Sequence, residues 1–136
     1  MADPALRPLL EAVTRAADHA LALWAGGTPS VRHWEKEPGQ PVCDADLAVN
    51  AMLREALMRI DPAAGWLSEE SADDDARCRA DRLWVVDPID GTKDYIAGKQ
   101  GWAISVALVE LGEPVLGVLA APARNELWVA QAGQGA

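Results

Sequence analysis

Apolar residues recur at helical spacing at the start of the chain. The positions that share one face between Ala5 and Trp24 predict an amphipathic helix, and Gly26-Gly27 is expected to end it. A second helix is predicted from Asp44 or Ala45 to about Ile60, because aspartate suits the positive end of a helix and the following Asp-Pro pair stops it. The apolar spacing of this second helix is less regular, and it predicts an inner face made of Leu47, Ala51, Leu53, Leu57 and Ile60.

Short apolar runs, which are typical of strands, dominate the rest of the chain. Extended segments are predicted at residues 31–36, 65–68, 83–86, 102–110, 114–120 and 126–130. Leu111-Gly112-Glu113 joins two of them and is a hairpin signal. Residues 71–81 are polar and acidic, and they are predicted to form a solvated loop or a short surface helix. Helices followed mostly by strands indicate an α+β layered domain.

The composition is that of one ordinary globular domain, with 136 residues, of which 50% are hydrophobic and 24% charged. The net charge of −9 argues against sequence-independent binding to a nucleic-acid backbone, which needs a basic surface. A phosphate ligand would need something to offset the carboxylates, and a divalent metal is the obvious candidate. We expect no signal peptide, no membrane span and a cytoplasmic location, with Cys43 and Cys78 as reduced thiols.

The candidate chemistry lies in residues 84–94, where two aspartates, Asp87 and Asp90, follow an apolar run. The proline between them presets a turn, and Gly91 permits a close backbone approach. Thr92 suits the start of a helix, whose unpaired N–H groups attract anions. Because carboxylates are hard oxygen ligands for Mg²⁺, a metal and a phosphate fit the same corner of the fold.

Ordinary turn chemistry is an equally good explanation of these residues by themselves, because Asp, Pro and Gly are common in turns. Two further acidic pairs favour function, Asp44 with Asp46 and Glu69 with Glu70. Each pair lies where an apolar element begins or ends, and the geometry of a sheet can bring such ends together.

Residues 84–96, with the sequence WVVDPIDGTKDYI, resemble the signature of the inositol monophosphatase family, one of the magnesium-dependent, lithium-sensitive phosphatases. Lys36 followed by residues 41–46 resembles the family's Lys…Pro-Val-Thr-x-x-Asp segment, with Cys43 where threonine is usual. Residues 66–70 match the family's strand that ends in Glu-Glu. The resemblance implies a layered α/β sandwich, in which this chain is the first α+β domain with a mainly antiparallel sheet.

The resemblance also implies roles for single residues. The ligands of Mg²⁺ would be three carboxylates and one backbone carbonyl, those of Glu69, Asp87, Asp90 and Ile89, and Glu70 would support them. The Thr92 hydroxyl and Asp46 would position and deprotonate the attacking water, so the implied catalytic residues are Asp46, Thr92 and Glu69. The substrate phosphate would be held by backbone N–H groups of Gly91 and Thr92. Lys93 would either offset a second phosphate or be an ordinary exposed lysine of the helix, and the second interpretation is at least as good.

Two segments resemble the 3′(2′),5′-bisphosphate nucleotidases most among the family's members. They are Asp-Gly-Thr-Lys-Asp-Tyr and Leu-Ser-Glu-Glu, the latter in place of Gly-Glu-Glu. This resemblance therefore implies hydrolysis of adenosine 3′(2′),5′-bisphosphate by metal-activated water. Two alternatives stay open. The first is an inositol-1-monophosphatase or another small sugar or histidinol phosphate phosphatase, and the second is a non-catalytic or regulatory module that keeps the fold. The resemblance also allows a homodimer.

The family's carboxy-terminal α/β domain carries a Trp-Asp-x-Ala-x-Gly segment with a further metal ligand, and that motif does not occur in these 136 residues. We expect residues 1–136 to be the amino-terminal metal- and phosphate-binding domain of a longer protein and to be inactive by themselves. The sheet formed by residues 102–120 is then expected to expose apolar surface.

Overall fold

The computed structural model describes residues 3–24, 32–71 and 80–134. Two long helices, α1 (Leu6–Trp24) and α2 (Asp44–Ile60), pack against each other and against one face of a sheet. Both helices confirm the prediction from apolar spacing, and the glycine pair expected to end α1 lies outside the described residues. None of the helices in the described ranges is long and apolar enough to cross a bilayer.

The predicted inner face of α2 is wrong at two positions. Leu47 is 42% exposed and Ala51 is also exposed, whereas Leu53 and Leu57 are buried as predicted. The buried face of the helix consists of Ala45, Asp46, Val49, Asn50, Leu53 and Leu57. A count of apolar residues could not find this face because two of its members are polar and are buried against polar partners.

The strands form a small hairpin and one larger sheet. The hairpin pairs β1 (His33–Glu37) with β2 (Gln40–Cys43). The sheet has five strands in chain order, β3 (Gly65–Ser68), β4 (Arg82–Asp90), β5 (Ala103–Glu110), β6 (Glu113–Ala121) and β7 (Glu126–Gln131). The pairing of β3 with β4 is parallel, and the later pairs are antiparallel. The expected α+β fold with a mainly antiparallel sheet is confirmed, and residues 72–79 of the predicted acidic loop lie outside the described ranges.

The predicted hairpin between β5 and β6 is confirmed, and Glu113, expected in its turn, is the first residue of β6. Leu111 and Gly112 form a two-residue turn, with φ angles of 50° and 82°. Positive φ at both central residues is the geometry that matches the twist of the flanking strands.

A short helix, α3 (Thr92–Ile96), is held in place by its one buried aromatic side chain. The Tyr95 hydroxyl donates a hydrogen bond to the Ala20 carbonyl of α1 at 2.9 Å. The Tyr95 ring packs edge-on against Trp102, with centroids 4.8 Å apart. These contacts fix α3, and therefore the residues at its start, to α1 and to the segment that enters β5.

Gly91 precedes α3 in a left-handed conformation with φ of 86°. A Cβ atom at this position would lie 2.5 Å from the Gly101 carbonyl oxygen. A side chain is thus disfavoured both by the backbone conformation and by the lack of space. The glycine lets the segment 98–102 close directly over the start of α3.

The second face of the sheet points away from α1 and α2. Side chains alternate across each strand, so that Ala107 of β5 and Leu119 of β6 lie opposite the buried residues Val106 and Val118. Leu119 pairs with Trp128 of β7, and these two side chains are 38% and 57% exposed. Leu119 lies within residues 102–120, where exposed apolar surface is expected, and Trp128 of β7 extends this apolar patch beyond that range.

We predict that the 136-residue chain self-associates through this patch. Replacing Leu119 and Trp128 together by lysine should raise the dissociation constant at least roughly tenfold, because desolvated lysine opposes burial. Sedimentation velocity over a concentration series measures the effect. Leu47→Lys is the control, since Leu47 is similarly exposed but lies on α2. An equal effect of the control would contradict a role for the sheet face.

Candidate active site

A cleft of about 440 Å³ lies where β3 and β4 end and α3 begins. It brings together the predicted metal ligands and phosphate-binding residues, and it adds three others. Its lining consists of Lys36, Pro41, Glu69, Glu70, Asp87, Ile89, Asp90, Gly91, Thr92 and Lys93.

The parallel pairing of β3 with β4 explains why the carboxylates meet. Ser68 pairs with Val86, so the residues that follow them, Glu69 and Asp87, emerge side by side at one edge of the sheet. The Glu69 N–H donates to the Val86 carbonyl at 3.4 Å, which continues the strand pairing by one residue. The carboxyl end of parallel strands is the usual place for a ligand in such sheets.

An irregularity in β4 brings Asp90 to the same side. Sequence patterning ends this strand at Val86, but the structure extends it to Asp90. Asp87 pairs with Ser105 and Asp90 pairs with Ala103, so three steps along β4 correspond to two along β5. In a regular strand, residues three apart point to opposite faces, and the extra residue of a bulge removes this alternation. Asp87 and Asp90 therefore both line the cleft.

The cleft concentrates negative charge. The pKa of Asp87 is raised to about 6, first by burial and then by Asp90 and Glu69, with smaller effects from Asp46 and Glu70. Each of these neighbours is a carboxylate, so ionising Asp87 adds to an existing negative field. The site is thus short of positive charge in the absence of a bound cation.

Lys36, on the β1–β2 hairpin, is a positively charged residue of the cleft. The sequence places it in a family motif but does not predict this position. Its Nζ donates to Glu70 Oε1 at 3.0 Å and to the Glu69 carbonyl at 3.4 Å. The pKa of Glu70 is raised, because the effect of burial is larger than the lowering effect of Lys36. The ammonium is paired with Glu70, and within residues 3–24, 32–71 and 80–134 neither Glu69 nor Asp87 forms an ion pair of this kind. The signal for Lys36 in the sequence was its position before the Pro-Val-Cys-Asp segment.

Asp46 lies beneath the cleft, in the first turn of α2, and is only 1% exposed. Its Oδ1 is 3.1 Å from the Thr92 hydroxyl, which is also 3.0 Å from the Ile89 carbonyl oxygen. A hydroxyl has one proton, so Thr92 donates to one of these two acceptors at a time. The pairing of Asp46 with Thr92 that the resemblance implies is thus present as a contact, although Asp46 itself does not line the cleft.

Cys43 holds the other oxygen of Asp46. Its backbone N–H donates to Oδ2 at 2.9 Å, and its thiol is 3.1 Å from the same oxygen. These bonds and the bond from Thr92 lower the pKa of Asp46, but burial outweighs them and the pKa is raised. The pKa of the Cys43 thiol is raised to about 12, chiefly by burial, which agrees with the predicted reduced thiol.

The carboxylates share the cleft without forming a closed ligand set. Within the described ranges, no three His, Cys, Asp or Glu side chains converge closely enough to hold a metal ion. The donor chemistry nevertheless suits a hard divalent cation, because the cavity is lined by four carboxylates and only two lysines, so negative charge is in excess.

The chain is similar to known proteins in sequence and in fold. A sequence model of the inositol monophosphatase family matches residues 4–136. A histidinol-phosphatase of Mycobacterium tuberculosis is 45% identical over 96 residues, covering 71% of this chain and 36% of the relative. An inositol-1-monophosphatase of Rhizobium meliloti is 37% identical over 136 residues, covering 100% and 51%. The 3′(2′),5′-bisphosphate nucleotidase CysQ of Salmonella typhimurium is 32% identical over 130 residues, covering 95% and 52%.

The chain spans between about a third and about a half of the length of these curated relatives. Solved structures give the same proportion. The extragenic suppressor protein SuhB of Bartonella henselae superposes with a TM-score of 0.88 at 26% identity, covering 96% of this chain and 50% of that one. An IMPase/NADP phosphatase solved with Mg²⁺ and phosphate has a TM-score of 0.78 at 20% identity, covering 90% and 45%, and it shows the fold alone.

We predict that Asp87→Asn stabilises the metal-free protein at pH 7.5. The folded pKa of about 6 lies above the ordinary value of 3.8, so folding takes up a proton between these values and stability falls as pH rises from about 4 to about 6. After a discount for solvent screening, removing the charge should add about 1 kcal/mol at pH 7.5 and little at pH 4.

Urea unfolding in a chelator at both pH values measures this difference. Asp81→Asn is the matched control, because Asp81 is exposed and lies outside the cleft. A destabilised Asp87→Asn variant at pH 7.5 would show that the carboxylate is compensated in the metal-free protein.

Proposed function

The chain belongs to the inositol monophosphatase family, and on that premise we propose that it is the metal- and phosphate-binding domain of a Mg²⁺-dependent phosphomonoesterase. The observation that carries the proposal is the cleft, in which Glu69, Asp87 and Asp90 gather without matching positive charge beside the start of α3. A divalent cation would supply the positive charge that this arrangement lacks, and the bound cation would in turn attract the anionic phosphate of a substrate.

The residues present fit Mg²⁺ because all the candidate donors are hard oxygens. We propose that the ligands are the carboxylates of Glu69, Asp87 and Asp90 and the carbonyl of Ile89. When bound, the metal would neutralise phosphoryl oxygens and lower the pKa of a water molecule. Glu70 is proposed to position Glu69 indirectly, since Lys36 bonds to the Glu70 carboxylate and to the Glu69 carbonyl and so holds the turn that carries both residues.

Thr92 and Asp46 are proposed to position the attacking water and to accept its proton. When the Thr92 hydroxyl donates to Asp46, its oxygen is free to accept a hydrogen bond from water. Asp46 is buried, and its pKa is raised, so it is a better proton acceptor than an ordinary aspartate. The backbone N–H groups of Gly91 and Thr92, at the start of α3, are proposed to hold the phosphate.

We propose 3′(2′),5′-bisphosphate nucleotides as the substrates. Lys93 supports this choice, because it is exposed and lines the cleft next to Thr92, where an ammonium can offset a second phosphate. Similarity to CysQ is consistent with it. A second candidate is a monophosphate such as histidinol phosphate or inositol 1-phosphate, which the similarity to the histidinol-phosphatase and the inositol-1-monophosphatase favours.

The test is phosphate release by the full-length protein with adenosine 3′,5′-bisphosphate, inositol 1-phosphate and histidinol phosphate, in Mg²⁺ and in excess chelator. We expect turnover only with Mg²⁺ and a kcat/KM that is highest for the bisphosphate. Lys93→Ala should raise KM for the bisphosphate about tenfold and leave the monophosphates unchanged, which corresponds to one lost charge contact.

Lys99→Ala is the control, because Lys99 is equally exposed but does not line the cleft. A preference for a monophosphate would replace the first substrate by the second. Turnover that persists in chelator would remove the metal mechanism, and no release from any of the three esters would favour a non-catalytic module.

We also predict that Thr92→Ala lowers kcat about 10²–10⁴-fold, the usual size of assistance to proton transfer. Calorimetric binding of Mg²⁺ should survive, because the hydroxyl is proposed to hold water and not metal. Thr92→Ser keeps the hydroxyl and should retain most of the activity. A kcat for Thr92→Ala within a factor of two of wild type would leave Thr92 with a structural role only.

A further inference from the structure

A buried polar network joins α2 to the turn that follows β3. Asn50 is only 8% exposed, and both ends of its amide are used. Its Oδ1 accepts from the Ser68 hydroxyl at 2.6 Å, and its Nδ2 donates to the Ser71 hydroxyl oxygen at 2.9 Å. One side chain thus bridges the first and last residues of the turn 68–71.

The same network reaches the backbone and an indole. The Glu70 N–H donates to the Ser68 hydroxyl oxygen at 3.2 Å, and the indole N–H of Trp66 donates to Ser71 at 3.0 Å. The turn also has an internal bond from the Ser71 N–H to the Ser68 carbonyl at 3.4 Å. Since Glu69 and Glu70 lie inside this turn, the network limits the backbone that carries both carboxylates.

Asn50 follows Asp46 by one helical turn, so both lie on the same face of α2. Asp46 contacts Thr92 at the start of α3, and Asn50 contacts the turn that carries Glu69. The two halves of the cleft are therefore held by neighbouring side chains of one rigid helix.

We propose that Asn50 is a positioning residue, which fixes the Glu69–Glu70 turn relative to Asp46 and thereby sets the geometry of the cleft. The part of this inference that concerns Mg²⁺ rests on the proposed function. A buried amide costs desolvation, and an apolar side chain would fill the same space without that cost. The feature that an apolar residue could not supply is the simultaneous hold on Ser68 and Ser71.

The first test is amide hydrogen exchange in residues 69–71 of the full-length protein. Asn50→Ala should speed exchange there about tenfold, because the turn loses its tether to α2. Ser71→Ala, at a half-buried position, is a second and milder variant. It removes the hydrogen bonds that Ser71 accepts from Asn50 and from Trp66 and keeps the bond between Asn50 and Ser68. Ser71→Thr keeps the hydroxyl and should restore exchange to the wild-type rate.

The second test is Mg²⁺ binding measured by calorimetry. Asn50→Ala should raise the dissociation constant about 10–100-fold, the usual effect of losing a residue that orients a ligand. At saturating Mg²⁺ the KM of the substrate should stay within a factor of two. Leu53→Ala is the matched control, because Leu53 is buried on the same helix but has no polar group that could bond to the turn, so its loss should lower the melting temperature only.

The outcomes separate this inference from the proposed function. Unchanged exchange in Asn50→Ala and Ser71→Ala, or an equal change in Leu53→Ala, would overturn the positioning role. Faster exchange with an unaltered Mg²⁺ dissociation constant would overturn the link to the cleft geometry. A wild-type protein that binds no Mg²⁺ would overturn the proposed function, and the exchange experiment would still decide the role of Asn50.

Discussion

The parallel pairing of β3 with β4 is the constraint on which the site depends. It places the residues after both strands at one edge of the sheet, so that Glu69 stands beside Asp87. The bulge in β4 then adds Asp90 to the same side. Burial, and after it the neighbouring carboxylates, raise the pKa of Asp87. Carboxylates brought together in this way repel one another, so other contacts must hold their backbone in place.

Several contacts from distant parts of the chain supply this hold. Tyr95 fastens the start of α3 to α1 through the Ala20 carbonyl, and Lys36 brings the β1–β2 hairpin over Glu70. α2 contributes two polar side chains from a helix face that is otherwise apolar, and each contacts a different side of the cleft. The buried polar side chains beside the cleft, Asp46, Asn50 and Ser68, each have hydrogen-bond partners, which is the condition for a rigid polar site.

The sequence predicts the elements better than it predicts their faces. Apolar spacing gave both long helices, and Leu111-Gly112 gave the hairpin, because these signals are local. The inner face of α2 was wrong at Leu47 and Ala51, since burial of Asp46 and Asn50 depends on partners far along the chain. Pro88 marks an irregularity in β4, but the register that aligns Asp87 with Asp90 is set by pairing with β5 and has no local signal. Motif resemblance supplied the candidate residues, and the cleft-lining role of Lys36 became visible only with tertiary contacts.

The backbone at Gly91 has an evolutionary consequence. A side chain at Gly91 is disfavoured by the left-handed backbone conformation and also by the nearby Gly101 carbonyl. Because these two reasons are independent, no single compensating substitution elsewhere would allow another residue at this position. Lys93, two residues later, is exposed and meets no such restriction. Substitutions can therefore accumulate at the rim of the cleft in related chains while the backbone at the start of α3 stays the same.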